Sequence, residues 1–378
     1  MELETFSYSA ASGWSNPPCT SLDSDRTLVL VFGASSYRNH PAPIEALIES
    51  FPRSTVVGCS TSGEILGDEV HDESLSVAVV RFADTNLRVT CTEVTEATES
   101  ESAGEKIARD LLADDLRGVL VLSDGLSVNG TELVRGLGSV VPPHVTITGG
   151  LAGDGDRFES TWVVAGGAPQ GGRVVAVGLY GERIRIGHGS KGGWDIFGPE
   201  RLVTKSERNV LYELDDKPAL ELYKSYLGER ASDLPAAALL FPLAIRTDDD
   251  DGEPLVRTIL AVDEETQSMT FAGDIVQGSR AQLMKANFDR LVDGAHDAAT
   301  LSCPEGCEEP VLSIAISCVG RRLVLGERSE DELESALEVL PALTQQVGFY
   351  SYGELSPRRS GPCVLHNQTM TLTTLCEA

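Results

Sequence analysis

The chain has 378 residues, of which 41% are hydrophobic, so it can bury more than one core, and two domains are expected. Its 58 acidic residues outnumber 30 basic ones and give a formal net charge of −28, which disfavours nucleic-acid binding because such a surface repels phosphate. The first residues, MELETFSYSA, lack a signal-peptide pattern, and no apolar run is long enough to span a bilayer. We therefore expect a cytoplasmic protein without membrane insertion.

The first predicted elements are a strand, a helix and a second strand. The apolar run RTLVLVF (residues 26–32) predicts a buried strand, and a helix with one apolar face follows Pro41 and Pro43. The segment TVVGCSTSGEI (residues 55–65) predicts the next strand. Short connections between these elements indicate a βαβ unit with parallel strand pairing.

The same order of elements occurs twice more. GVLVLSD (residues 118–124) predicts a strand, Asn129 opens a short helix, and VTITGG (residues 145–150) predicts the second strand. Near the end of the chain, residues 311–318 predict a strand and residues 347–355, VGFYSYGEL, predict its partner. Between them, Ser329 and Glu332 have the spacing of a capping box and predict a capped helix.

The middle of the chain has a different pattern. Residues 174–180 and 183–186 read as two half-buried strands around a Gly181-Glu182 turn. PALELYKSYL (residues 218–227) predicts a helix followed by Gly228. Three further strands form a predicted meander. They cover residues 236–246, 255–262 and 268–272, with turns at 248–252 and 263–267.

These patterns together predict an α/β protein of two domains. The domains comprise residues 26–217 and 218–378, with mixed β-sheets built from related strand–helix–strand units and an antiparallel meander in the second domain.

A glycine-flanked segment is repeated at the ends of the predicted strands. Residues 57–65, VGCSTSGEI, align without a gap on residues 347–355, VGFYSYGEL, and the segment Gly149–Asp154, GGLAGD, is a shorter copy. Glycines here allow positive φ or close backbone approach, so hydroxyls and amides can face a ligand at the strand ends. The alternative is that the glycines only permit sharp, closely packed turns.

The eight cysteines and the few lysines carry weaker signals. Without a secretory signal, eight cysteines in this length indicate reduced thiols, and the Cys303–Cys307 pair with Cys318 lacks the spacing of a structural zinc site, so no metal is expected. Six lysines in an acidic chain fit an acidic proteome and a halophile, for which thermal stability would rise with KCl. An arginine-favouring genome explains the same composition.

The motifs GCSTSGEI, GGLAGD, PALELYKSYL, GFYSYGEL and HNQTMTLTTL together resemble FIST proteins, with a FIST N-terminal domain followed by a FIST C-terminal domain. The resemblance covers nearly the whole chain in the expected order. It implies a sensory module of signal transduction that binds a small ligand, for which amino acids have been proposed. It also implies output through a partner protein, such as a histidine kinase or a cyclic-di-nucleotide enzyme.

The candidate ligand contacts are polar and aromatic residues of the repeated segments and of the HNQT motif. Hydroxyl and amide groups would orient a polar ligand, and two tyrosines would form apolar walls. If Glu64 and Glu354 reach one cavity, their charges favour an amine or guanidinium ligand. The candidates are Ser60, Thr61, Gly63, Glu64, Asp154, Tyr350, Tyr352, Glu354, Asn367 and Gln368.

Two alternative functions stay open. Some bacterial FIST proteins that this chain resembles bind haem as nitric-oxide sensors, and a noncovalent haem ligand would come from His40, His71, His144, His188, His296 or His366. A hydrolase-type enzyme would use Cys59 or the His366-Asn367 cluster, but the chain lacks a G-x-S-x-G nucleophile elbow and Cys59 has no adjacent histidine. We therefore expect a binding protein rather than an enzyme.

Overall fold

The N-terminal part of the fold contains the first βαβ unit. The computed structural model describes residues 1–234, 236–247, 254–303, 307, 310–358 and 361–378. Its first elements are β1 (Glu2–Ser9), β2 (Gly13–Trp14), β3 (Thr27–Ala34), α1 (Ala42–Ser50), β4 (Thr55–Thr61), β5 (Glu64–Leu66), β6 (Glu69–His71), β7 (Ser74–Arg81), β8 (Asn86–Glu93) and α2 (Ser100–Leu111). Strands β3 and β4 pair in parallel, as predicted. The predicted strand 55–65 is divided into β4 and β5, because Gly63 turns the chain with a φ of 132°.

The second unit repeats this arrangement. Its elements are β9 (Leu116–Ser123), α3 (Gly130–Val140), β10 (Thr146–Leu151), β11 (Val163–Ala165), β12 (Arg173–Tyr180) and β13 (Ile184–Lys191). Strands β9 and β10 are parallel, and the Asn129 side chain caps α3 by accepting from the backbone N–H groups of Thr131 and Glu132 at 2.9 and 3.1 Å. The strands on either side of Gly181 form as predicted, but they belong to different sheets.

An antiparallel sheet is inserted before the third unit. It contains β14 (Asp195–Ile196), β15 (Arg201–Glu207), β16 (Val210–Leu214), β17 (Lys217–Pro218), β18 (Leu243–Arg246), β19 (Leu255–Arg257), β20 (Ile259–Asp263), β21 (Ser268–Phe271) and β22 (Arg280–Lys285), with helix α4 (Ala219–Leu227) after β17. The predicted meander is only partly correct. Strands β15, β16 and β22 separate the β18–β19 pair from the β20–β21 pair, and residues 236–240 form a 3-10 turn. The predicted turn at 248–252 lies outside the described residues.

The third unit completes the chain. Its elements are α5 (Phe288–Ser302), β23 (Leu312–Cys318), α6 (Val319–Leu325), α7 (Ser329–Leu337), β24 (Gln345–Ser351), β25 (Gly353–Pro357), β26 (Cys363–His366) and β27 (Met370–Glu377). Strands β23 and β24 are parallel, as predicted. The predicted capping box is wrong. Glu332 instead points inward and forms a fully buried ion pair with Arg321 at 2.7 Å. Arg321 is shielded from water, so its charge needs a counter-ion within the protein.

The three units form a closed arrangement by exchanging strands. Each unit supplies the parallel pair of its own sheet and one strand that extends the sheet of another unit: β11 pairs with β4, β25 with β10, and β5 with β24. The inner faces of the three sheets share one core, in which the rings of Phe32 and Phe349 lie 4.8 Å apart. Strands from both sides of residue 217 therefore share sheets, and the predicted domain boundary stays a prediction.

The expectation that all thiols are reduced is wrong at one pair. A disulfide joins Cys307 and Cys376, whose Cα atoms lie 6.1 Å apart although 69 residues separate them in sequence. The sequence could not predict this pair, because the two cysteines come together only in the folded chain, where strand β27 places Cys376 near the end of α5. In the described part of the chain, no helix has both the length and the apolar character needed to cross a membrane.

Candidate functional site

The repeated segments meet in what we call the three-turn hub, residues 60–64, 151–155 and 350–354. Strands β4, β10 and β24 end here, and each turn is hydrogen-bonded through its backbone to the other two. These bonds join Ser62 N to Tyr350 O at 2.8 Å, Tyr350 N to Gly63 O at 2.9 Å, Gly153 N to Ser60 O at 3.0 Å, and Tyr352 N to Leu151 O at 3.1 Å. The repeated segment thus closes the arrangement of the three units.

One glycine in each copy is required by this close packing. Gly58, Gly149 and Gly348 occupy matching register positions on the second strand of each parallel pair. A Cβ at any of the three positions would overlap a carbonyl oxygen of the first strand. The carbonyls belong to Val31, Val121 and Ala315. For this glycine, the structure favours the packing interpretation over the ligand interpretation.

Glu64 is a buried carboxyl that accepts hydrogen bonds from its own unit. Its side chain is 1% exposed, and it accepts from the hydroxyl of Thr61 and from Ser74 N and Oγ at 2.9 and 2.7 Å. Burial raises the pKa of Glu64 to about 7, although these donors oppose the shift. The carboxyl therefore braces the turn between β4 and β5 and ties it to the start of β7.

Glu354 repeats this arrangement in the third unit. It is fully buried and accepts from Ser351 Oγ at 2.7 Å and from Thr369 Oγ1 and N at 2.9 and 3.3 Å. Burial raises its pKa to about 8. The expectation that Glu64 and Glu354 face one shared cavity differs from the structure, because each carboxyl is enclosed by its own turn.

The second unit braces its turn with aspartates instead. Asp124 accepts from Gly172 N at 3.0 Å and from the Thr161 hydroxyl at 2.7 Å, and Asp154 accepts from three consecutive backbone N–H groups, those of residues 158–160. Burial raises the pKa of both carboxyls, but the hydrogen bonds outweigh it and the pKa of each is lowered. Sequence reasoning missed Asp124.

The other candidates in the hub also have partners within the protein. Ser60 Oγ accepts from Trp162 N at 3.0 Å. The Tyr350 hydroxyl donates to the Glu332 carboxylate at 2.9 Å, and the Tyr352 hydroxyl donates to Asp154. The structure therefore brings Ser60, Thr61, Gly63, Glu64, Asp154, Tyr350, Tyr352 and Glu354 together as hub residues, and it leaves their assignment to a ligand a prediction.

A cleft of about 760 Å³ lies elsewhere, between the third unit and the inserted antiparallel sheet. We call it the β13 cleft, because β13 and the following Gly192 to Trp194 form one wall. Helix α5, the ends of β18 and β19, and the β25–β26 hairpin form the others. None of the ten candidate residues is among its lining residues, although Asn367 and Gln368 lie between the lining residues His366 and Thr369. The glycine-rich run IGHGSKGGW (residues 186–194), which the sequence analysis did not single out, could have indicated this site.

The lining of the β13 cleft contains two histidines that are neutral at neutral pH. Burial lowers the pKa of His188, and burial together with the nearby Arg257 and Arg358 charges lowers the pKa of His366 to about 4. His366 Nε2 also lies 3.1 Å from the carbonyl oxygen of Ser356.

Buried polar atoms without a hydrogen-bond partner cluster around this cleft. Of the eight such side-chain atoms found among the described residues, two belong to the lining residues Ser190 and Arg246 and four belong to chain neighbours of lining residues, and all are buried rather than facing the cleft. Folded proteins leave few such atoms, so the cluster needs an explanation. The six atoms are Ser190 Oγ, Arg246 Nε, Ser356 Oγ, Asn367 Oδ1, and Oε1 and Nε2 of Gln368.

The chemistry available to a nucleophile or a metal is limited. Burial raises the pKa of the Cys59 thiol well above its ordinary value, so this thiol is protonated and a poor nucleophile. The Asn367 amide nitrogen donates to the carbonyl of its neighbour His366 at 2.9 Å. Within the described ranges, no group of three or more histidine, cysteine or acidic side chains is placed to hold a metal ion.

Comparison with known proteins identifies the family. The FIST N domain model matches residues 27–217 and the FIST C domain model matches residues 219–357. The chain belongs to the FIST family. FIST domains are sensory domains of signal transduction, so a sensory role is the general function of this family.

Individual relatives add little about the ligand. An uncharacterised protein of Methanocaldococcus jannaschii is 27% identical over 354 residues, which cover 82% of this chain and 66% of that protein. The chain therefore spans slightly less than two thirds of this relative's length. A solved structure, cyanuric acid hydrolase from A. caulinodans, is 9% identical with a TM-score of 0.37 over 100% of this chain and 98% of that chain. A likeness this weak says nothing about activity.

Proposed function

We propose that this FIST protein is a cytoplasmic sensor that binds a small molecule in the β13 cleft and passes the signal to a partner protein. The observation that carries the proposal is a cleft of about 760 Å³ whose lining combines apolar side chains such as Trp194 and Met284 with the imidazoles of His188 and His366. A cleft of this size, with a few polar groups in an apolar lining, is typical of small-molecule sites. The amino acid or other amine predicted from the sequence stays within this proposal as one ligand class.

The position of the cleft suggests how binding is transmitted. One wall belongs to the inserted sheet, through Leu255 and Val256, and the opposite wall belongs to β13 and α5 of the three-unit ring. A ligand that contacts both walls favours one relative position of the two parts, since it binds that state more tightly. The partner, a histidine kinase or a cyclic-di-nucleotide enzyme, would read this change. In this proposal the protein binds its ligand without chemical conversion and is not an enzyme.

The test is native mass spectrometry of freshly purified protein. We expect a mass above that of the chain alone, and loss of the extra mass in a Ser190→Trp variant, which fills the cleft. Ser232→Trp places the same bulk on an exposed residue and serves as the control. If the wild-type mass equals that of the chain, and no compound in a metabolite panel shifts its melting temperature, the proposal is wrong.

A haem-binding nitric-oxide sensor is the second candidate, because two of the six histidines, His188 and His366, line the same cleft. Haem would supply an iron that binds nitric oxide. His366 Nε2 is hydrogen-bonded to the Ser356 carbonyl, so His188 would be the residue that holds the haem iron, and its lowered pKa keeps it neutral. A haemin titration should then give a saturable Soret shift that His188→Ala abolishes and His296→Ala preserves. Absence of a saturable shift excludes this candidate.

A further inference from the structure

We infer that the β13 cleft binds a short peptide in an extended conformation, which pairs as an additional strand with the edge of β13 that faces the cleft. The inference rests on the proposed function, because it names the ligand class of the same cleft. It does not use the amine recognition expected from Glu64 and Glu354, whose carboxyls are enclosed in the hub.

Strand β13 is the last strand of its sheet. It pairs with β27 in an unbroken antiparallel register, and no strand among the described residues pairs with its opposite edge. The consecutive residues 186–191 all line the cleft. An edge strand with unpaired N–H and C=O groups is a template for another extended chain, and peptide-binding proteins use such edges.

The register shows which backbone groups of β13 face the cleft. The Ala378 N–H donates to the Arg183 carbonyl oxygen at 3.0 Å, so the odd-numbered residues of β13 exchange hydrogen bonds with β27. In an antiparallel pair, these positions alternate with positions whose N–H and C=O groups point to the other edge. The backbone groups of Ile186, His188 and Ser190 therefore point toward the cleft, with the spacing that a paired strand requires.

This wall of the cleft is formed largely by main chain. A Cβ on Gly187 would overlap the Ser302 carbonyl oxygen, and a Cβ on Gly189 would overlap that of Ala298, so the side-chain direction of both glycines faces α5. These two lining residues have only backbone atoms to present. Ser190 is half-buried although its hydroxyl oxygen is buried, so the hydroxyl is not the part of Ser190 that reaches the cleft.

Helix α5 lies along β13 and presents one row of side chains to the cleft. Gly187 meets Ser302 and Gly189 meets Ala298, so a step of two residues along the strand, about 6.7 Å, matches a step of four residues along the helix, about 6 Å. The strand and the helix therefore run side by side in opposite directions. The exposed α5 residues that line the cleft follow one another at steps of three or four residues, and they are Arg290, Asp293, Asp297 and Leu301.

The walls around this edge favour a strand with one polar face and one apolar face. Alternate side chains of an extended peptide point to opposite faces. On the α5 side, the exposed carboxylates of Asp293 and Asp297 can accept hydrogen bonds from polar side chains. The inserted sheet and the β25–β26 hairpin contribute Leu255, Val256 and Pro357, which favour apolar side chains. A peptide that alternates threonine and valine has this pattern and carries no charge, so its binding does not depend on the net charge of the protein.

The experiment uses the acetylated and amidated peptide Thr-Val-Thr-Val-Thr, because residues 186–190 span about 13 Å, the length of five extended residues. Binding to the full-length protein is measured by ligand-observed NMR, and we expect it to be saturable. Two isomers of the peptide, N-methylated at the third or at the fourth residue, provide the comparison, since neighbouring N–H groups of a strand point to opposite edges. One isomer should bind like the parent peptide and the other at least about tenfold more weakly, which corresponds to about 1.4 kcal/mol.

Two proline variants test the edge of the protein itself. Ser190→Pro removes an N–H that faces the cleft and leaves the hydrogen bonds between β13 and β27 in place, so it should weaken peptide binding at least about tenfold. Val89→Pro is the matched control on β8, the edge strand of another sheet. The Val94 N–H donates to the Gly172 carbonyl oxygen at 2.8 Å, so by the same alternation the Val89 N–H also points away from its partner strand. Val89 is outside the cleft, and its replacement should change peptide binding less than about twofold.

The outcomes separate the inference from the proposed function. Equal binding of the two methylated isomers, or equal effects of the two proline variants, overturns strand pairing while leaving a ligand-binding cleft in place. The isomers are measured on the wild-type protein, so they decide the question even if Ser190→Pro does not fold. A dimer of the wild-type protein that Ser190→Pro dissociates would mean that a second copy occupies the edge, and it overturns the peptide inference. If no peptide binds, the inference is wrong, and the proposed function is judged separately by native mass spectrometry and the metabolite panel.

Discussion

The three-turn hub and the β13 cleft differ in how their polar atoms are satisfied. In the hub, the carboxyls of Glu64, Glu354 and Asp154 each accept two or more hydrogen bonds from the protein itself. Around the cleft, Ser190, Asn367 and Gln368 have buried polar atoms without any partner. The polar groups of the hub are therefore satisfied within the chain, whereas those next to the cleft are satisfied less completely.

The two regions also differ in how often their sequence segments occur along the chain. The glycine-flanked segment recurs because three related units must close on one another, and this needs the same turn three times. The cleft occurs once, because it depends on the sheet that is inserted between the second and third units. Repetition therefore marks the scaffold in this protein, and the non-repeated insertion marks the candidate site.

The largest expected loss of stability is caused by a substitution in the ion pair that connects the two regions. Arg321 and Glu332 are both fully buried; Glu332 accepts from the Tyr350 hydroxyl in the hub, and Arg321 donates to the carbonyl of Gly192 in the cleft wall. Glu332→Gln leaves a buried arginine without a counter-ion and should lower the free energy of unfolding by about 4 kcal/mol. Urea denaturation measures this.

The exposed pair Arg328–Asp289 provides the control for that experiment. Its side chains are 42% and 84% exposed, so Asp289→Asn should have little effect on stability. Equal losses in the two variants would show that burial of the Arg321–Glu332 pair does not raise the cost of removing its carboxylate.

A change in pH is expected to have a smaller effect on the free energy of unfolding, and this effect should come from the carboxyls of the hub. The pKa values of Glu64 and Glu354, about 7 and about 8, lie above the ordinary 4.5, so the folded chain retains two protons that the unfolded chain has lost. Stability from the protonated forms is therefore present at low pH and is lost as the pH rises through 7 and 8. Between pH 6.5 and 9 the free energy of unfolding should fall by about 3 kcal/mol.

The double variant Glu64→Gln, Glu354→Gln isolates this contribution. Glutamine resembles the protonated carboxyl, so the variant should lose most of the fall above pH 6.5. It keeps His188 and His366, whose lowered pKa values make stability rise with pH mainly below 6.5, and so the histidine contribution is subtracted. The measurement is urea denaturation at several pH values, and a variant with the wild-type pH profile contradicts the assignment.

Substitution of a glycine tests how tightly the hub is packed. Gly58→Ala places a methyl group against the backbone carbonyl of Val31, which cannot move without breaking the parallel pair, and should cost about 2 kcal/mol. Gly138 in α3 is exposed and a Cβ there meets nothing within 4 Å, so Gly138→Ala should stabilise the protein. Thermal melting compares the two, and a tolerated Gly58→Ala would return the segment to the ligand interpretation.

Much of the local structure could be predicted from sequence, because it depends on neighbouring residues. The buried β3 is an unbroken apolar run, and Asn129 caps α3 as its position suggests. Exchange of β5, β11 and β25 between sheets could not be predicted, because sequence periodicity fixes which residues are buried and says nothing about the partner strand.

The candidate site was harder to predict for a related reason. Glutamate is normally exposed, so Glu64 and Glu354 resemble ligand contacts, although both are enclosed here by hydroxyl and amide donors that are distant in sequence. The β13 cleft joins residues from positions 186 to 369, and only the folded chain brings them together. Its one local signal was the glycine-rich run 186–194 with its histidine, serine and lysine.

The smallest expected effect distinguishes the two regions most directly. The Gln368 side chain is fully buried, and both its amide oxygen and its amide nitrogen lack a partner, so Gln368→Met removes a buried polar group that gains nothing in the ligand-free protein. We expect the free energy of unfolding to rise by about 1 kcal/mol. In the hub, Ser74→Ala removes the hydroxyl that donates to Glu64 at 2.7 Å and should lower stability by a similar amount. Thermal melting of both variants gives the result. Destabilisation by Gln368→Met would mean that this amide is a structural group like those of the hub.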